Sequence, residues 1–196
     1  KLADDGEILC KGPNIMAGYY KHVKLTASVF DEEGWLHTGD IGSFTSTGYL
    51  KITDRKKEMF KNSLGKYVAP QVLENKFKES PFIEHIMVIG ENRRFAAALI
   101  VPAFSYLQSW CNSKNIPYQS NALIITNPLV TERIQREVEH YNSFFDKSEQ
   151  IKKFELLPCD WTIESGELSP TLKLRRKYIM QKYFRIINRI YSSGAK

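Results

Sequence analysis

The sequence predicts an α+β fold in two parts, a β-rich segment followed by a larger domain of helices and strands. Residues 1–54 contain short strand patterns separated by Gly turns, GEILCKGP, GWLHTGDIG and GYLKITD, which are typical of a small β-barrel or a set of hairpins. From about residue 57 onward, apolar residues recur at helical spacing around longer apolar runs. We therefore expect the end of a β-barrel subdomain joined to a small α+β domain.

The first part ends in a run of charge, Asp54, Arg55, Lys56 and Lys57, and we place the domain boundary there. Before it, KLTASVFDEEGW predicts a helical turn leading into a Gly turn. The assignment is residues 1–54 for the β-rich part, 55–57 for a connecting segment and 58–196 for the second domain.

The second domain opens with a helix at Pro70, because Pro is favoured at the first helical position, and Leu73 and Phe77 fall on one face of it. IEHIMVIGENRRFAAALIVP, two apolar runs around a Gly-Glu-Asn-Arg turn, predicts a hairpin. A helix from about Phe104 to Ser113 follows.

Asn127 and Pro128 mark the start of the next helix. Its apolar stripe consists of Val130, Ile134, Val138, Tyr141 and Phe145. KKFELLPCDW predicts a strand, and LRRKYIMQKYFRIINRIY predicts one closing helix whose apolar positions are Ile179, Tyr183, Ile186 and Ile190.

Composition narrows the class of protein. The chain is 42% hydrophobic and 26% charged, typical of a globular domain, and its net charge of +6 favours anionic partners.

The start has no signal-like apolar region and no initiator Met, which indicates a segment of a longer cytoplasmic protein. Cys10, Cys111 and Cys159 are widely spaced, so we expect buried or half-buried thiols in a reducing compartment and no metal site.

Three features could carry chemistry. Asp40 lies between glycines in HTGDIG, where a carboxylate can accept hydrogen bonds from a vicinal diol or simply satisfy the amides of its own turn. Arg55 and Lys61 could assist at a ribose or phosphate, and Gly65 would let a ligand pass close to the backbone.

Lys173 follows Gly166 and Pro170, and could meet a developing negative charge or belong to a solvated run of charge.

The order of these motifs is more informative than any one of them. GEILCKGPNIMAGYYK, GWLHTGDIG, GYLKITDRKKEMFKNSLGKYVAP and GELSPTLKLRR together resemble the C-terminal part of adenylate-forming acyl-CoA synthetases, and most closely the long-chain fatty acid CoA ligases. The spacing from Lys61 to Gly65, the segment SPTLKLRR and the helical stretch of residues 104–150 carry the resemblance to the long-chain group.

The resemblance implies a role for each candidate. Asp40 and Arg55 match residues that bind the ribose of ATP and acyl-AMP, and Lys57 matches the hinge of a mobile C-terminal lid domain, here residues 58–196. Gly65 matches the loop that faces the pantetheine channel of CoA, with Lys61 in support. Lys173 matches the lysine that contacts the carboxylate and α-phosphate during adenylation.

The implied reaction joins a fatty acid to CoA at the expense of ATP with Mg²⁺, through acyl-AMP and with release of AMP and pyrophosphate. The family's phosphate loop and acyl tunnel are not in this sequence, so the implied partner is an N-terminal domain. We expect the segment alone to be inactive and to bind no cofactor tightly. From the cysteine usage we expect a cytoplasmic location, and peripheral membrane contact stays open.

Two other classes stay open at this level. One is a different acyl- or aryl-CoA ligase or an adenylation domain, although these need less chain than residues 104–150 provide. The other is a basic module that docks its last helix on RNA or anionic lipid through Arg175, Arg176, Lys177, Lys182, Arg185 and Arg189. Nucleic acid is not the expected partner, because Tyr and Ile on the same helix are typical of a core.

Overall fold

A computed structural model describes residues 1–192. The chain forms two compact units, Lys1–Met59 and a second unit that begins at Phe60. The assignment of residues 55–57 as a hinge stays a prediction.

The first unit is built on one antiparallel sheet, which confirms the predicted strands. Its strand order is β1-β2-β3, and one short helix lies between the first two strands. The elements are β1 (Glu7–Cys10), α1 (Val23–Ala27), β2 (Leu36–Phe44) and β3 (Leu50–Arg55). Within residues 1–192 these strands form an open sheet and not a closed barrel, so the expected barrel end consists of hairpins.

Gly42 explains how closely β2 approaches its neighbours. A Cβ atom at this position would lie 2.8 Å from the Lys51 carbonyl oxygen on β3 and 2.8 Å from the Ile8 side chain on β1. Only glycine leaves room for both neighbours. The register between β2 and β3 shifts at this point, between Ile41 and Gly42.

The second unit has a three-stranded sheet as its centre. A short hairpin of β4 (Phe60–Lys61) and β5 (Tyr67–Val68) precedes α2 (Pro70–Phe77). Next come β6 (Ile83–Ile89) and β7 (Ala96–Pro102), which pair antiparallel as predicted. The third strand, β8 (Ile151–Leu156), pairs parallel to β7 and leaves β7 in the middle.

Helices cover both faces of this sheet. One face packs against α2, α3 (Phe104–Ser113), α4 (Asn121–Ile124) and α5 (Pro128–Asn142), and the other against the C-terminal α6 (Arg176–Lys182) and α7 (Phe184–Ser192). Alternate residues of β7 serve the two faces, since Ala98 and Ile100 lie in the first cluster and Ala97 and Leu99 in the second. Because successive side chains of a strand point to opposite faces of the sheet and helices cover both faces, β7 is apolar throughout.

Three sequence predictions need correction. The closing helix is two helices, α6 and α7, because the backbone leaves helical geometry at Tyr183 (φ −102°, ψ 18°). With that break, Ile187 is buried and Ile186 only partly buried. Phe145 lies beyond the end of α5, although it still packs on the core. Cys159 is exposed, whereas Cys111 is buried and Cys10 half-buried.

None of the helices in residues 1–192 has the length and hydropathy needed to cross a membrane.

A buried ion pair ties α6 to α2 and the sheet. The carboxylate of Glu74, on α2, is 4% exposed and accepts hydrogen bonds from the Val88 N–H (2.7 Å) and the Arg176 guanidinium (2.6 Å). Burial raises the pKa of Glu74 to about 7, while the charge of Arg176 and the hydrogen bond from Val88 act in the opposite direction.

This pKa predicts a pH-dependent stability. Because the pKa of Glu74 is higher in the folded protein than in the unfolded chain, its contribution is most favourable below about pH 4.5 and is lost as the pH rises through about 7. We expect the free energy of unfolding to fall over this interval by more in the wild type than in Glu74→Gln, which cannot ionise. Urea unfolding of both proteins between about pH 5 and about pH 8 measures the difference. Parallel pH profiles would contradict the assignment.

Candidate functional site

Asp40 and Arg55 form an ion pair across two strands. They lie directly opposite each other in the β2–β3 register, and the Arg55 Nε lies 3.0 Å from the Asp40 Oδ1. The Arg55 side chain is 58% exposed and that of Asp40 is 23% exposed. The pair is therefore formed in advance of any ligand and can still be reached from solvent.

The backbone before Asp40 holds this carboxylate in place. Gly39 has φ +73°, in the left-handed region that glycine adopts without strain. The Thr38 hydroxyl donates to the Ile8 carbonyl (2.8 Å), and the Thr38 hydroxyl oxygen in turn accepts the Asp40 N–H (3.1 Å). Asp40 is thus anchored through its backbone, and its side chain remains available.

Glu7, on β1, connects this loop to the end of β3. Its carboxylate is 2% exposed and accepts hydrogen bonds from the Gly39 N–H (2.9 Å), His37 Nδ1 (2.9 Å) and Lys56 Nζ (2.7 Å). Burial alone would raise the pKa of Glu7, but the three donors together hold it below its ordinary value. An ionised Glu7 therefore fixes residues on both sides of the Asp40–Arg55 pair.

Lys56 and Lys57 lie in the turn after β3, and their environments differ. The ammonium of Lys56 contacts both Asp5 (2.7 Å) and Glu7 (2.7 Å), and these hydrogen bonds raise its pKa. The backbone N–H of Lys56 also donates to the Gly39 carbonyl (2.8 Å). Lys57 is exposed, so the anchored end of this turn is Lys56, and the predicted hinge residue follows it.

Gly65 lies in the tight loop of the β4–β5 hairpin. The side-chain oxygen of Asn62 accepts the N–H groups of Leu64 and Lys66, each at 3.0 Å. Gly65 has φ +75°, and no atom lies within 4 Å of the position that a Cβ would take. The glycine is needed for its backbone conformation, and its open side is free of protein atoms among the described residues. Lys61 precedes the loop, with its ammonium 4.6 Å from the centre of the Tyr67 ring.

Lys173 lies on a second hairpin of the same unit, before α6. Leu168 and Leu174 pair across it, the Ser169 N–H donates to the Lys173 carbonyl (2.8 Å), and the Lys173 N–H donates to the Ser169 hydroxyl (3.1 Å). The Lys173 side chain is exposed. Its backbone is therefore fixed by local hydrogen bonds while its ammonium extends into solvent.

Within the first unit, the predicted residues Asp40 and Arg55 are in direct contact. Within the second unit, Lys61 and Gly65 belong to one hairpin and Lys173 to another. Sequence reasoning missed Glu7, Thr38 and another buried carboxylate, Glu167. Glu7 and Glu167 share a detectable pattern, since each follows a Gly with positive φ (Gly6 and Gly166) and precedes a buried aliphatic residue. A charged residue at that position of a buried segment indicates a carboxylate that has dedicated donors.

The charges of the Asp40–Arg55 pair suit a ligand that carries two neighbouring hydroxyl groups next to a negatively charged group. Asp40 supplies acceptor oxygens, and Arg55 supplies a cation with several donors. Among residues 1–192, no group of three or more His, Cys, Asp or Glu side chains is arranged to hold a metal ion. The Mg²⁺ that the resemblance implies is therefore not assigned to residues of this chain.

The sequence is similar to those of known proteins over nearly its whole length. The chain is 38% identical over 194 residues to the putative fatty-acid–CoA ligase fadD11 of Mycobacterium tuberculosis, covering 98% of this chain and 34% of that protein. It is 37% identical over 193 residues to the human long-chain-fatty-acid–CoA ligase 1, covering 96% of this chain and 27% of that protein. The chain thus spans about a third or less of the length of these relatives.

A solved structure shares the fold. The adenylation domain of the carboxylic acid reductase from Segniliparus rugosus, in complex with AMP and a co-purified carboxylic acid, matches with a TM-score of 0.78 and 27% identity, over 97% of this chain and 28% of that one. Residues 58–195 match the family model described as the AMP-binding enzyme C-terminal domain. The chain therefore belongs to the family of AMP-binding enzyme C-terminal domains.

Proposed function

We propose that the chain is the C-terminal part of an ATP-dependent long-chain fatty acid CoA ligase. The observation that carries the proposal is the preformed Asp40–Arg55 pair, in a chain whose second unit belongs to the AMP-binding family. In this proposal Asp40 accepts hydrogen bonds from the ribose hydroxyls of ATP and acyl-AMP, and Arg55 orients Asp40 and supports the ribose.

The proposed reaction has two steps. A fatty acid carboxylate attacks the α-phosphate of ATP, which forms acyl-AMP and releases pyrophosphate. The thiol of CoA then attacks the acyl carbon, which forms the thioester and releases AMP. Lys173 serves the first step, because an exposed ammonium on a fixed backbone can meet the charge that develops at the α-phosphate.

The second step uses another part of the lid domain. The glycine backbone at Gly65 leaves space on its open side, which suits the passage of the pantetheine arm. Lys57 is the proposed pivot between the two arrangements, because it lies in the exposed turn just before the second unit begins. Lys61 is a supporting cation beside the same loop.

A second candidate function is an adenylation domain that activates another carboxylic acid. The similarity to the adenylation domain from Segniliparus rugosus favours it. Acid-dependent exchange of pyrophosphate into ATP by the whole protein, followed by acyl-CoA formation, separates the two. Exchange with long-chain fatty acids and release of acyl-CoA supports the ligase, whereas exchange without transfer to CoA supports the alternative.

The basic surface of the C-terminal helices gives little support to an RNA- or lipid-binding module. Three of its cations are committed to carboxylates, since Arg176 pairs with Glu74, Lys182 with Glu167 and Arg189 with Glu155. These contacts involve three of the six cations that made the module an alternative.

Asp40→Ala in the whole protein should weaken binding of both ATP and acyl-AMP. Loss of a charged hydrogen-bond partner costs roughly 1.5–3 kcal/mol, which is about a ten- to hundredfold rise in the dissociation constant. Isothermal titration with ATP and with a non-hydrolysable acyl-AMP analogue measures both affinities. Glu32→Ala, at an exposed carboxylate of the same unit, is the control, and unchanged affinities in Asp40→Ala would exclude the ribose role.

Lys173→Ala should slow adenylate formation by on the order of a hundredfold, since one preorganised charge is lost at the reacting phosphate. The same variant should still convert supplied acyl-AMP and CoA into the thioester at nearly the normal rate. Lys177→Ala removes another exposed lysine four positions further along the chain and should leave both steps intact. Equal loss of both steps in Lys173→Ala would refute the assignment.

Gly65→Leu should show the reverse behaviour, with acyl-AMP formed but thioester formation blocked by the new side chain. Gly48→Leu is the matched control, because Gly48 also has positive φ (+82°) and open space at its Cβ position. Both variants carry a similar backbone strain of about 1–2 kcal/mol. If Gly48→Leu lost thioester formation to the same extent, strain and not obstruction would explain the result.

A further inference from the structure

The hairpin that carries Lys173 has a charged and fully buried base. Glu167 immediately precedes the paired residue Leu168, and its side chain is 1% exposed. Its carboxylate accepts hydrogen bonds from the Lys182 ammonium (2.6 Å) and the Tyr183 hydroxyl (3.0 Å), both at Oε1. The Ser165 hydroxyl donates to the other oxygen.

The ion pair is stable in its ionised form. Burial by itself would raise the pKa of Glu167, but Lys182, Ser165 and Tyr183 hold it below the ordinary value. The same contact raises the pKa of Lys182, and burial together with the neighbouring carboxylate raises the pKa of Tyr183 to about 12. Near neutral pH, Tyr183 therefore remains a donor to a charged Glu167.

The backbone of Glu167 closes the hairpin as well. Its carbonyl accepts the Arg175 N–H at 2.7 Å, so Glu167 and Arg175 form the last rung below the Leu168–Leu174 bridge. A side chain at Gly166, just before it, would crowd α6, because a Cβ there would lie 3.0 Å from the Tyr178 ring. The two ends of the hairpin are thus hydrogen-bonded to each other, and Gly166 packs against Tyr178 of α6.

At the base of this hairpin, an ion pair restricts the orientation of Glu167 more than apolar packing would. A buried carboxylate is strongly destabilised unless its donors keep their positions, so Lys182 and Tyr183 hold Glu167 in one orientation. Lys173 lies six residues along the same hairpin, and among residues 1–192 its exposed side chain has no ion pair or hydrogen bond that orients it. The direction in which Lys173 extends therefore depends on the base.

We propose that Glu167 is a positioning residue for Lys173, which anchors the hairpin to α6 so that the lysine reaches the acyl carboxylate and α-phosphate during adenylation. The inference rests on the proposed function. Glu167 itself contacts neither substrate nor nucleotide in this account.

Glu167→Gln in the whole protein tests the proposal. The amide keeps the size of the side chain but loses the charge that holds Lys182, and a small displacement of a reacting group costs up to about a hundredfold in rate. We expect kcat for adenylate formation to fall by on the order of ten- to a hundredfold, with little change in KM for ATP. Conversion of supplied acyl-AMP to acyl-CoA should change by less than about twofold.

Glu137→Gln is the matched control. Glu137 is also a buried glutamate of the second unit, and it is bonded to Ser80 and Arg133. Glu137→Gln should lower thermal stability without a selective loss of adenylation. Tyr183→Phe removes one donor to Glu167 and is the milder variant if Glu167→Gln fails to fold. It should show the same selectivity with a smaller effect.

A double-mutant cycle with Lys173→Ala separates positioning from general destabilisation. If Glu167 acts through Lys173, then Glu167→Gln should cause no further loss of adenylation in the Lys173→Ala background. Additive losses, or an unselective loss of both steps, would overturn the proposal. If Lys173→Ala alone left adenylation intact, the proposed role of Lys173 would fail first, and the two failures are thereby distinguished.

Discussion

A carboxylate that is removed from water must be surrounded by hydrogen-bond donors, and both units of this chain are organised around that constraint. In the first unit Glu7 gathers the Gly39 N–H and the Lys56 ammonium. In the second, Glu167 gathers Lys182 and Tyr183. Each of these buried glutamates is hydrogen-bonded to the base of a loop that carries a proposed site residue, Asp40 in the first unit and Lys173 in the second.

The apolar core provides the other half of this arrangement. β7 is buried on both faces and lies between two strands, so the helices on each side pack on a single fixed plane. The Lys173 hairpin is joined to that plane through α6 and the Glu74–Arg176 pair, and the Gly65 hairpin through the buried residues Phe60 and Val68. Both hairpins therefore project from one compact unit, which suits a domain proposed to offer different loops to successive steps.

Similar local chemistry serves different purposes in the two units. In the first unit the pair itself, Asp40 with Arg55, is the proposed ribose-binding group, and Glu7 contacts residues on both sides of it. At the Lys173 hairpin the buried Glu167–Lys182 pair is proposed only to position Lys173. Because ionic contacts of this kind have well-defined geometry, they transmit position more sharply than an aliphatic contact of equal area would.

The sequence by itself determined most of the elements, because their signals are local. Pro70 and Asn127 mark helix starts, the Gly turn between apolar runs marks the β6–β7 hairpin, and motif order indicated the family. The roles of Asp40 and Lys173 stay predictions of the resemblance. Tertiary structure alone decided the parallel pairing of β8, the break at Tyr183 and the partners of Glu7 and Glu167. Glu7 lies 49 residues before Lys56, and no spacing in the sequence encodes a contact at that separation, since it depends on the register of the strands between them.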